Sequence, residues 1–346
     1  MRYLNGVESR FETNGKHYVR TVRGLMLEID DKVETALQMA LNNHSLDELA
    51  DETISLLLEK GLIYEKGHLP KKVTASYSGV WYSRDIEPTE AIRFGVKAIS
   101  NLFHRWMFFG LIIAVSVVHI GIIVTIFSSA GAYSGWLTMP PLKWVYLFGL
   151  VVFSQILHEF GHAGAIYHYT KGVPPIGIGI MAMFPVLYTD VSASNALTVK
   201  SRTIVMLAGV YIQLLFSAML VLLYGISSAL INIFAIITCV RVLKDLAPVF
   251  RSDGYWILQD WAKDISTLAK KQFVSKIISS ITLAPLFFLA VWLLLIRNPA
   301  IIIEIINGTQ DYPLQSGILI ALQYMAAIGY FGYLLLRLRP QKDRLI

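Results

Sequence analysis

Residues 154–169 read SQILHEFGHAGAIYHY, and they close an apolar run that otherwise has the composition of a lipid-facing helix. Ionisable side chains in such a helix cost roughly 2.5–3.5 kcal/mol each on insertion scales, so their presence there points to function. His158 and His162 stand four apart. On a helix that spacing puts both imidazoles on one face, one turn apart, where together they can grip a zinc ion at about 2.0–2.1 Å. Glu159 adjoins the first histidine but points off their shared face, towards the water that a metal would acidify. A carboxylate so placed can take a proton and later hand it to a leaving amine. The rival reading of the same residues is a polar helix end lining a pore or a proton path.

The rest of the chain suits a membrane setting. Of 346 residues, 55% are hydrophobic and 16% charged, with mean hydropathy +0.55, outside the soluble globular range. The fold class expected is therefore a mainly α, polytopic membrane protein. One cysteine, Cys239, excludes an intrachain disulfide and a thiolate cage, so any metal must be held by His, Asp or Glu. The net charge of +6 comes from basic residues beside apolar runs, as expected for residues that orient spans against an anionic leaflet. Nucleic acid is not an expected partner; the lipid bilayer is.

Working outward, residues 1–73 read as a small soluble α+β unit of winged-helix type. Asn14-Gly15 between two alternating stretches signals a hairpin. A helix is predicted over about 32–43, and a second opens at Ser45, with Glu48 completing a capping box, and stops at Gly61 before the strand-like LIYEKG. This unit holds 10 Lys+Arg against 12 Asp+Glu, which argues for peptide rather than phosphate contacts. Residues 74–102 read as a linker ending in EAIRFGVKAISNLF, suited to a helix lying on the membrane surface.

Stretches long enough to cross the hydrocarbon core follow at about 103–128, 143–168, 203–225, 228–250, 277–296 and 314–336, giving six predicted spans. Arg93, Lys97 and Arg105 precede the first and Arg337, Arg339, Lys342 and Arg344 follow the last, while SAGAYSGWLTMPPL after the first span has no Lys or Arg. That asymmetry predicts a multi-pass plasma-membrane protein with both termini cytoplasmic and HEFGH at the cytoplasmic face. Between spans two and three, GVPPIGIGIMAMFPVLYTDVSASNALTVK is apolar yet rich in Gly and Pro, which predicts a membrane-associated hairpin covered by protein and forming part of a substrate site.

A hydrolytic zinc needs a third protein ligand and an open fourth position. Two residues compete. His168 lies six beyond His162, the spacing of a soluble extended motif, but Ala165 stands where that motif has its turn-making glycine. Its other reading is an interfacial histidine beside Tyr167 and Tyr169. Asp253, in KDLAPVFRSDGYWIL, lies at the same predicted membrane face, with Pro248 to break a helix and Gly254 to permit a turn.

HEFGH in one span, Ala208-Gly209 in a later one and a distal P-x4-DG together resemble the site-2 protease family of intramembrane zinc metalloproteases, over about residues 143–258. The resemblance implies His158, His162 and Asp253 as ligands of one zinc, with Glu159 as catalytic acid/base. FPVLYTDVS, containing Asp190, resembles the hairpin stretch of the bacterial peptide-processing members. Asp190 either touches substrate or ends a strand, and the second reading is favoured. Two departures concern substrate contacts: Gln213 replaces an Asn amide donor, and Asp245 stands where an Asn is common and cannot donate when ionised.

The N-terminal stretch HSLDELADETISLLLEKGLIYEKG resembles the small leader-peptide-binding domain of ribosomal peptide modification systems. That likeness implies capture of a precursor peptide along a strand edge near the hairpin; the alternative is a scaffold that only packs on the membrane part. The expectation is a zinc metalloendopeptidase, core 143–258 within a membrane domain over 103–346, that cuts a small, ribosomally made precursor peptide. The alternatives are regulated cleavage of a membrane-anchored signalling protein, and a non-proteolytic export or immunity component.

Overall fold

The computed structural model describes residues 3–13, 16–21, 26–41, 51–65, 80–86, 88–128, 139–181, 184–225, 228–248, 252–262 and 298–307, with 274, 277–278, 320–321 and 324. The chain divides into two units, one of Met1–Ile113, Phe153–Leu215 and Gln259–Trp261, the other of Ala114–Val152, Phe216–Leu258 and Ala262–Ile346.

The first unit opens with β1 (Tyr3–Asn5), β2 (Val7–Thr13), β3 (Lys16–Thr21), β4 (Met26–Ile29), α1 (Asp31–Leu41), α2 (Asp51–Glu59) and β5 (Ile63–Glu65). β2, β3 and β4 form an antiparallel meander, and β1 pairs with β5. The β2–β3 ladder closes at Thr13↔Lys16, so the connection is the two residues that the Asn-Gly reading expects, themselves outside the described residues. Asp30 caps α1, its Oδ1 accepting from Val33 N at 2.8 Å. Gly61, at φ 72°, ends α2: Leu62 N donates to Leu57 O at 2.9 Å and Gly61 N to Leu58 O at 3.0 Å. That paired closure needs a left-handed residue, which is why the glycine stands there. Leu57 and Leu62 then bury against Val19, Ile29, Ala36, Leu37 and Ile63, the core of this segment. The predicted capping box at Ser45 and Glu48 lies outside the described residues.

The segment read as a linker contributes a strand. β6 (Val80–Ile86) pairs antiparallel with β7 (Ile176–Met181), which pairs with β8 (Phe184–Thr189), making a three-stranded sheet from the predicted hairpin and a strand nearly a hundred residues earlier. Tyr188 Oη donates to Asp85 Oδ1 at 2.7 Å, tying the two outer strands across β7. α3 (Glu90–Ser100) follows, its N-cap Thr89 accepting from Ile92 N at 3.4 Å. α3 has a buried and an exposed side: Val96 is buried with Ala163 and Ile176, whereas Phe94 is 76% exposed.

Three helices among the described residues are long and apolar enough to cross a membrane: α4 (Arg105–Ser128), of which Arg105–Thr125 qualifies, α5 (Pro141–Thr170) and, after a 3-10 turn at Ser192–Ala196, α6 (Val199–Tyr224). They coincide with the first three predicted spans. On α4, Ile113, Val117, Ile120 and Val124 form an exposed stripe at helical spacing, an apolar surface that suits lipid. The prediction of six spans is corrected. Its fourth falls on α7 (Ala229–Leu246), whose 18 residues include Arg241, Lys244 and Asp245 and which is not among the helices apolar enough to cross. Its fifth and sixth fall largely outside the described residues. α8 (Asp253–Trp261) and α9 (Asn298–Ile306) follow.

In the second unit Ile122, Leu147, Leu220, Ile231, Phe234 and Ala235 bury together. His119 Nδ1 donates to Val115 O at 2.7 Å and its Nε2 accepts from Ser217 Oγ at 3.0 Å, so a histidine within an apolar helix has both ring nitrogens satisfied.

Candidate metal centre

α5 begins at Pro141, where a missing N–H costs nothing, and runs unbroken to Thr170. Near its cytoplasm-predicted end His158, Glu159 and His162 are buried, at 6%, 6% and 4% exposure. α6 approaches α5 closely there. A Cβ on Gly161 would come within 2.5 Å of the Ala208 carbonyl oxygen, and one on Gly209 within 2.5 Å of the His158 ring. The Ala208-Gly209 pair is small so that the helix backbones can meet.

That approach fixes both imidazoles. His162 Nδ1 donates to the Val205 carbonyl at 2.8 Å, and His158 Nδ1 donates to Gln213 Oε1 at 3.2 Å. With both Nδ1 atoms so engaged, the Nε2 atoms are the ring nitrogens placed to meet a metal. The two Nε2 atoms face each other at 3.0 Å. A cation within reach of both nitrogens would be chelated by the pair. The ligand atoms of His158, His162 and Asp253 all lie within 4.8 Å of one another, a group that could hold a metal ion. Two nitrogens and one carboxylate oxygen are a donor set that suits zinc and leaves a fourth position open.

Asp253 opens α8. A Cβ on Gly254 would run into the Leu246 carbonyl at the end of α7, and Ser252 Oγ donates to Ala247 O at 2.8 Å, so the start of α8 lies against the end of α7. Glu159 Oε1 accepts from Gln155 Nε2 at 3.1 Å, one turn back on α5. Its backbone carbonyl accepts from Thr189 Oγ1 at 3.0 Å, which seats the end of β8 on the helix that bears the acid.

The remaining predicted residues separate. His168 is not in the ligand group; α5 stays helical past it and its ring meets those of His104, at 5.1 Å, and Tyr169, at 5.0 Å. Asp190 Oδ1 accepts from Ser192 N at 2.9 Å, a turn that follows the end of β8. Asp245 pairs with its neighbour Lys244 at 2.9 Å. Gln213, read as an amide donor to substrate, is fully buried with its Oε1 on His158, a role the sequence reading missed. The available signal was its position one turn beyond Gly209. Replacing Gln213 with Leu is expected to weaken zinc binding by about 10–100-fold, as loss of an outer partner of a metal histidine does, measured by competition with a chelating dye.

No protein-family model, characterised protein or solved structure matches this chain.

Proposed function

We propose that this protein is a zinc-dependent intramembrane endopeptidase that cuts a small precursor peptide. The observation that supports it most is the pair of buried histidines with Asp253, set beside a buried glutamate at the end of an apolar helix. Zinc held by His158, His162 and Asp253 would supply Lewis acidity for the scissile carbonyl and lower the pKa of the attacking water. Glu159 takes the proton from that water and returns it to the leaving amine nitrogen. Gln213 uses its Oε1 on His158, and its Nε2 has no hydrogen-bond partner among the described residues. In this reading Gln213 serves the site by holding the His158 ring. The sheet of β6, β7 and β8 shapes the approach, because Thr189 joins it to the backbone of Glu159.

The test is mass spectrometry of peptides in cells carrying Glu159→Gln in place of the parent. A peptide that stays whole in the variant and is cut in the parent identifies both substrate and bond; identical peptide inventories would sink the proteolytic reading and leave an export or immunity role.

Residues 1–73 recruit the precursor in this reading. β2 and β4 are the outer strands of the described meander, and a peptide strand can add to such an edge. Deleting residues 1–73 is then expected to raise KM for the precursor about tenfold or more with little change in kcat, the pattern of lost uniform binding. An unchanged KM in steady-state assays would make the segment a scaffold.

A further inference from the structure

Arg202 lies two turns before the Gly209 crossing and is absent from the chemistry above, yet it is among the most heavily bonded side chains described. Its Nε donates to Ser194 O at 3.1 Å, its Nη2 to Asn195 O at 2.9 Å and Leu197 O at 3.2 Å, and its Nη1 to Asp260 Oδ1 at 2.8 Å. Arg202 and Asp260 side chains are each only 11% exposed. One guanidinium therefore joins the start of α6, the 3-10 turn after the hairpin and the last turn of α8. The neighbouring pair adds a second tie, Trp261 Nε1 donating to Thr203 Oγ1 at 2.9 Å.

α8 is the helix that Asp253 opens. Asp260 stands seven residues on, two turns along, so the two carboxylates lie within about 20° of the same helical face and about 10.5 Å apart along the axis. A nine-residue helix is too short to hold its own place in isolation. Fixing its far end in rotation and height fixes where its first carboxylate points, and a metal ligand must be held to about 0.5 Å to serve.

We propose that Arg202, through Asp260, is a positioning residue for the metal ligand Asp253: the Arg202–Asp260 pair latches α8 to α6 and so completes the metal site. This rests on the metal-ligand reading given under Proposed function. A planar guanidinium with five donors in a fixed fork suits a latch that reaches three carbonyls and a carboxylate at once; a lysine cannot reproduce it.

The experiment is a double-mutant cycle in zinc affinity, on the full chain in detergent micelles, read by chelator competition and independent of catalysis. Asp260→Ala leaves Arg202 its three carbonyl bonds. The expected result is a loss of affinity of about 10–100-fold in the parent background and less than about twofold where Asp253 is already Ala, because the latch then has no ligand to position. No loss in the parent background, or an equal loss in both, overturns the proposal. If Asp260→Ala does not elute as a folded species, Arg202→Lys runs the same cycle with the same criteria. If the parent and Asp253→Ala bind zinc equally, the ligand assignment has failed. The latch itself is then decided by hydrogen exchange of the amides of residues 254–261: faster exchange in Asp260→Ala upholds it and unchanged exchange overturns it.

Discussion

Glu159→Gln is expected to lower kcat for precursor cleavage by about 10²–10⁴-fold, the usual contribution of a positioned general acid/base. Zinc content and KM should stay at the parent's values. The amide has nearly the same shape as the carboxylate and can keep the contact with Gln155, 3.1 Å away in the parent, but it cannot accept the water's proton. Because Glu159 is not one of the three residues whose ligand atoms converge, elemental analysis should find the metal retained. A fall in kcat with constant KM marks an interaction made in the transition state alone. Cleavage at the parental rate with zinc still bound would remove Glu159 from the mechanism.

Asp253→Ala is expected to lower zinc affinity by more than the roughly 10–100-fold that loss of an outer partner costs, and to abolish cleavage. His168→Ala should leave both unchanged. The contrast follows from helix geometry. α5 is continuous through Thr170, so His168, six residues past His162, is turned about 120° round the axis and displaced about 9 Å along it. Its ring instead packs on those of His104 and Tyr169. Zinc loss confined to the His168 variant would reverse the assignment of the third ligand.

Much of this was legible in the sequence because it is written at short range. The spacing of His158 and His162 already places both rings on one helical face, and the apolar lengths around 103–128, 143–168 and 203–225 already suffice for crossings. Asn14-Gly15 announced a two-residue hairpin and Gly61 a helix stop, each from the backbone freedom of its own residues. At α7 the hydrophobic content suggested a crossing, but Arg241, Lys244 and Asp245 keep it out of the helices apolar enough for one.

What the chain alone determined is therefore the candidate ligand types, their helical spacing and the apolar setting that makes buried ionisable residues meaningful. What only the tertiary structure decided is how those ligands are held. The bond from His162 to Val205 spans 43 residues and that from His158 to Gln213 spans 55. β6, which looked like linker, found its partner strand only across the whole of α4 and α5. Arg202 bonds to Asp260, 58 residues on. Local periodicity fixes which face a side chain takes, but the approach of two backbones depends on packing between distant segments.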